Sequence, residues 1–178
     1  MNNIQEFSND LLGEKYYKII HKNGLKIFVF PKERQAAWAI FATDFGSVDN
    51  TYKDENGKPC LPDESGLFVS ISHTAHFGAA AIASSPVGID VEEIAPLDEK
   101  KKALLERFFA NEDISAAQTD PAGREFYRFW TRREAAFKAF ADKPFYSADP
   151  VKGNEDKISS YYQIMADREI MFSVACKE

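Results

Sequence analysis

The chain has 178 residues, 44% hydrophobic and 28% charged, a globular composition that excludes disordered, collagen-like and low-complexity classes. A net charge of −6 argues against bulk nucleic-acid binding, and no apolar run nears the roughly 20 residues of a membrane helix. Two cysteines, Cys60 and Cys176, make no disulfide framework and fit a reducing cytoplasm, and the acidic start MNNIQEFSND lacks the apolar core of a signal peptide.

Residues 1–24 are polar and mixed around a small cluster of Tyr16, Tyr17, Ile19 and Ile20. Leu25, Ile27 and Val29 alternate with Lys26 up to Pro31, which predicts a strand. Residues 36–45 are apolar and close at Gly46, a second strand or a short helix. Residues 50–65, polar with two prolines and a glycine, predict a loop and the best candidate boundary. Three strand-like runs follow, at 66–74, 77–84 and 87–94. The last places Val87, Ile89 and Val91 on one face and Gly88, Asp90 and Glu92 on the other. Asp98 is placed to cap a helix with Leu104, Leu105, Phe108 and Phe109 on its apolar side. Asp120-Pro121 predicts another helix start, running to about Phe140, with Phe126, Trp130, Phe137 and Phe140 as its apolar stripe. Residues 158–165 and 170–176 read as two strands joined by the turn ADRE. This mixed order points to an α+β fold rather than a regular βαβ series.

Asp90 and Glu92, two apart on a strand, project together and repel unless solvent or a cation separates them. A Mg²⁺ ion held by one or two carboxylates and substrate phosphate oxygens relieves that repulsion, whereas a bare D-x-E is more often a solvated face. Glu134 and Lys138 stand one turn apart at the edge of the helix stripe, in the order of a plain surface pair. Facing the same cleft as Asp90 and Glu92, they would supply a third carboxylate and a cation for phosphate. In Ser70-Ile71-Ser72-His73-Thr74, neighbouring Ser72 and His73 point to opposite strand faces and cannot form a nucleophile pair. They suit phosphate hydrogen bonding, or simply a polar strand end. His73 and His76 have no cysteines at zinc spacing, so a zinc site is rejected. Lys58, in Gly57-Lys58-Pro59, is either part of a simple turn or a contact to an anionic ligand.

Taken in order, DENGKPCLP, FVSISHT, PVGIDVEEI, RFFANED and FYRFWTRREAAFK make the chain from about residue 54 onward resemble the 4′-phosphopantetheinyl transferases. The resemblance implies an α+β fold of two similar halves, the first shortened here, with a transferase domain at 54–178 and an atypical segment at 1–53. It implies transfer of 4′-phosphopantetheine from coenzyme A to a serine of an apo acyl or peptidyl carrier protein, releasing 3′,5′-ADP. Asp90, Glu92 and Glu134 would then hold Mg²⁺, and Lys138 would contact the pyrophosphate. Lys58, Ser72 and His73 would help bind coenzyme A, and Trp130 would pack the helix. Glu134, directly or through a water, would act as base for the carrier serine, with Glu92 the alternative. The second reading is a weakened homologue that binds coenzyme A or a carrier without efficient transfer. It draws on the unusual segment AFADKPFYSADP after Lys138 and on residues 1–53, where only Lys32 and Arg34 offer themselves for the 3′-phosphate. Carrier proteins are typically acidic, so an acidic enzyme needs a local basic face, from Arg128, Arg132 and Arg133 or from Lys100–Lys102. Residues 10–52, with NGL, a strand-like run, PK and FGSVDN, resemble the start of pitrilysin-type zinc peptidases, but the H-x-x-E-H motif is absent because Phe-Gly-Ala-Ala follows His76.

Overall fold

The computed structural model describes residues 3–9, 14–20, 24–31, 52–53, 59–61, 65–140 and 149–177. The chain opens with β1 (Asn3–Asn9), β2 (Glu14–Ile20) and β3 (Lys26–Pro31), followed by the short β4 (Tyr52–Lys53) and β5 (Pro59–Cys60). Next come β6 (Phe68–His73), β7 (Phe77–Ala83) and β8 (Val87–Glu93), then helices α1 (Glu99–Phe108), α2 (Asn111–Gln118) and α3 (Arg124–Phe140). A hairpin of β9 (Ile158–Met165) and β10 (Arg168–Cys176) ends the described chain. A five-stranded antiparallel sheet runs β1-β2-β3-β7-β6, a three-stranded one β8-β10-β9, and β4 pairs with β5 inside the predicted loop. Strands and helices are segregated, as the α+β expectation has it. The second apolar run expected at 36–45 lies outside the described residues.

The two larger sheets pack face to face. Leu25, Ile27 and Val29 of the first strand group meet Phe77, Ala79 and Ala81, and across the interface Val87, Ile89, Val91, Phe172 and Val174, all buried. Alternation along β8 therefore sends its odd-numbered side chains into this core and turns Gly88, Asp90 and Glu92 toward α3. At the end of the sheet, the β9–β10 turn places Ala166 and Asp167 at φ 47° and 61°, the geometry of a two-residue hairpin that keeps Met165 opposite Arg168.

The helices correct three sequence expectations. Asp98 caps α1 as expected, its carboxylate accepting the Lys101 N–H at 2.9 Å. The helix expected from Asp120-Pro121 instead begins at Arg124, because Gly123 turns the chain at φ 80° and its carbonyl accepts the first helical bond, from Tyr127 N. Asp120 still serves that terminus by accepting the Glu125 N–H at 2.9 Å. Helix α2 was not foreseen; it starts after Ala110 with no side-chain cap, and the acids Glu112 and Asp113 in its first turn are the signal that marks it. The stripe also differs. Tyr127, Thr131 and Ala135 are buried at four-residue spacing, while Trp130, Phe137 and Phe140 are only half-buried. Small residues take the central positions because the helix backbone lies close against β8. Trp130 stacks on Phe126 at the side of that contact, ring centres 6.1 Å apart.

Candidate active site

Gly88 sets the approach of helix to sheet. A Cβ at this position would run into the Ala135 carbonyl oxygen and lie 2.7 Å from Ala139 N and 2.8 Å from Lys138 Cβ. Only glycine lets α3 lie so near β8, and that closeness brings Lys138 over the strand. The Lys138 ammonium donates to the Ile89 carbonyl at 3.0 Å and to Asp90 Oδ1 at 2.8 Å. Strand and helix are thus joined at one buried carboxylate, Asp90, which is 5% exposed.

The other edge of β8 faces β6, and here two serines do the work of a missing strand. Among the described residues β8 pairs with β10 on one side only, which leaves alternate N–H groups turned away from the ladder. Ser70 Oγ accepts the Ile89 N–H at 3.1 Å and Ser72 Oγ accepts the Val91 N–H at 3.3 Å. Ser72 also donates to Asp90 Oδ1 at 2.8 Å. Ser72 was expected at the ligand; it is buried, and its hydroxyl serves Asp90 and the strand edge. The role of Ser70 was missed, although two hydroxyls at period two on a strand-like run are a legible signal.

Asp90 Oδ1 is therefore shared by Ser72 and Lys138, whereas Oδ2 is buried with no hydrogen-bond partner among the described residues. Burial pushes the Asp90 carboxyl up, with Lys138 and Ser72 opposing it. Glu92, half-buried on the same face, is pushed from 4.5 to about 7, first by burial and then by the charges of Asp90 and Glu134. Glu134 on α3 is also raised, by burial and then by Asp90. The three carboxylates thus share one electrostatic neighbourhood, as expected of Asp90, Glu92 and Glu134 from sequence. No three His, Cys, Asp or Glu side chains among the described residues are gathered at metal-binding distance. In donor chemistry the set still suits a hard divalent cation: all ligating atoms are carboxylate oxygens, mutual repulsion opposes their ionisation, and one buried oxygen is unsatisfied.

His73 is exposed at the end of β6. Lys58, Lys32 and Arg34 lie outside the described residues. The arginines of α3 considered for a basic face each have partners within the chain. Arg128 pairs with Glu125 at 2.7 Å, Arg132 donates to the carbonyls of Ile158 and Glu155, and Arg133 is buried against Asp149 and the Phe108 ring. Of the α1 lysines, Lys101 pairs with Asp98 and Lys102 with Glu99. Among the described residues no helix is long and apolar enough to cross a membrane.

Comparison with known proteins bears on this site. A family model described as the 4′-phosphopantetheinyl transferase superfamily matches residues 86–168. The chain is 35% identical over 132 residues to the 4′-phosphopantetheinyl transferase psf-1 of Bacillus pumilus, a match covering 72% of this chain and 48% of the relative. It is 36% identical over 87 residues to the 4′-phosphopantetheinyl transferase ffp of Bacillus subtilis, covering 47% of this chain and 38% of the relative. With the 4′-phosphopantetheinyl transferase HetI of a Nostoc species it shares 33% identity over 104 residues, 54% of this chain and 43% of the relative. The matches therefore span about half or less of the relatives' length. Residues 86–168 contain Asp90, Glu92, Glu134 and Lys138, so the part of the chain that carries the acidic face is the part that matches the 4′-phosphopantetheinyl transferase superfamily.

Proposed function

We propose that this chain transfers 4′-phosphopantetheine from coenzyme A to a serine of an apo acyl or peptidyl carrier protein, releasing 3′,5′-ADP in a Mg²⁺-dependent reaction. The observation that carries this reading is the face shared by β8 and α3, where Lys138 clasps Asp90 and Glu92 and Glu134 stand beside them. Asp90, Glu92 and Glu134 would hold the ion, and the unsatisfied Asp90 Oδ2 supports that assignment. When bound, Mg²⁺ would offset charge on the pyrophosphate and the leaving phosphate. The chain's own contribution is positioning and electrostatics, the main means of catalysing phosphoryl transfer. Lys138, anchored by the Ile89 carbonyl and Asp90, places a fixed positive charge beside the pyrophosphate. Glu134 takes the proton of the carrier serine, directly or through a water. Glu92 is the alternative base.

Coenzyme A would be held by Lys58 and by His73 at the exposed end of β6, with Ser72 acting through Asp90. The family fold suggests two similar halves meeting at this site, with residues 54–178 as the transferase domain and residues 1–53 an atypical segment. Residues 10–52, despite their peptidase-like start, bring no peptidase chemistry. Cys60 and Cys176, the chain's two cysteines, suit a cytoplasmic setting for this reaction.

The test is a mass spectrum of apo carrier protein after incubation with coenzyme A, Mg²⁺ and this protein. One added phosphopantetheine, lost with EDTA and in Glu134→Gln, is expected. Coenzyme A binding without transfer across several carriers would instead favour a weakened homologue. Absence of both would sink the proposal.

A further inference from the structure

Glu93 lies on the face of β8 opposite to Asp90 and Glu92, and nothing described so far uses it. Its carboxylate gathers groups from the β6–β7 turn and from the start of β10. Oε1 accepts from the Thr74 hydroxyl at 2.6 Å and from the His76 backbone N–H at 3.1 Å. Oε2 lies 2.9 Å from His76 Nδ1 and 3.2 Å from Nη1 of Arg168, the first residue of β10. Thr74 Oγ1 in turn accepts the N–H groups of His76 at 3.2 Å and Phe77 at 3.0 Å, and Thr74 N donates to the Phe77 carbonyl at 2.8 Å. The turn 74–76 between β6 and β7 is therefore closed by its own threonine and tied through that threonine to β8.

This tie has a geometric consequence. His73 immediately precedes the turn and stands opposite Gly78 in the β6–β7 ladder. An exposed hairpin end held only by its own ladder frays, since its hydrogen bonds exchange with water. Bonds to an ionised carboxylate are roughly twice as strong as neutral ones, and this carboxylate is 20% exposed and pinned to the strand that carries Asp90 and Glu92.

We propose that Glu93 is a positioning residue: through Thr74 and His76 it fixes the β6–β7 turn, and so sets where His73 meets coenzyme A relative to the acidic face. This rests on the transferase reading above.

The test compares wild type, Glu93→Ala, Glu93→Gln, His73→Ala and the double variant Glu93→Ala/His73→Ala, varying coenzyme A at fixed apo carrier protein. Glu93→Ala is expected to raise KM for coenzyme A about tenfold while kcat falls less than about twofold. Gln still accepts from Thr74 and the His76 N–H and should recover most of that loss. In the His73→Ala background, Glu93→Ala should add less than about a twofold change, because both substitutions remove the same contact. Fully multiplicative effects, or a fall in kcat at constant KM, would overturn the proposal. Hydrogen exchange supplies a readout apart from turnover: the His76 amide should exchange faster in Glu93→Ala, and unchanged protection would refute the clamp. Wild-type protein without turnover would count against the transferase reading itself, and the exchange rate would still decide whether Glu93 holds the turn.

Discussion

Replacing Glu92 with Gln in metal-free buffer should stabilise the protein by an amount that grows with pH. Burial, followed by the charges of Asp90 and Glu134, lifts the Glu92 carboxyl from 4.5 to about 7. Between those values the folded protein holds a proton that the unfolded chain has released, so stability falls as pH rises. The penalty is absent below about 4.5 and complete above about 7. At about 1.36 kcal/mol for each pH unit, that interval corresponds to about 3 kcal/mol. Solvent screening of the half-buried side chain lowers the expected value to about 2 kcal/mol. Gln keeps the shape and removes the titration. The assay is urea unfolding in EDTA at pH 5 and pH 8, followed by tryptophan fluorescence. The stability gap between variant and wild type should widen by about 1.5 kcal/mol from the lower pH to the higher, the rest of the penalty being already present at pH 5. A gap that stays flat would refute the argument from burial and like charge. If the carboxylates hold Mg²⁺ as proposed, adding it at pH 8 should raise the midpoint of the wild type more than that of the variant.

Two further substitutions probe the contact between strand and helix. Gly88→Ala must push α3 off β8, because the new methyl meets backbone atoms of Ala135 and Ala139. It should cost about 3 kcal/mol in urea unfolding, and a loss below about 1 kcal/mol would mean the helix is not held that closely. Lys138→Met leaves the buried Asp90 carboxylate without its cation. A loss of about 3 kcal/mol is expected at pH 8, recovered in part when Asp90→Asn is added, and a double variant no more stable than Lys138→Met would argue against the pairing.

Much of the acidic face was legible because it depends on alternation along one strand. Asp90 and Glu92 share a face whatever β8 packs against, and Val87, Ile89 and Val91 mark the other side as core. Helical spacing likewise put Glu134 and Lys138 one turn apart. The error in the α3 stripe has the same root. Periodicity ranks residues by hydrophobicity, but contact with a sheet selects them by size. Thr131, Ala135 and Gly88 therefore occupy the contact that Phe137 and Phe140 were expected to fill. The arginines of α3 misled for a related reason: charge implies exposure on average, while Arg132 and Arg133 satisfy carbonyls and a carboxylate of the segment 149–158 that follows the helix.

The sequence by itself determined which residues share the acidic face, since residue type and short-range periodicity carry that information locally. Tertiary structure alone decided how they are used. It gave both Asp90 Oδ1 contacts to Ser72 and Lys138, left Oδ2 buried without a partner, and tied the His73 hairpin to β8 through Glu93. Those partners stand between 18 and 48 residues apart, too far for any local pattern to register. What brings them together is the burial of two sheet faces against each other and of one helix against a glycine.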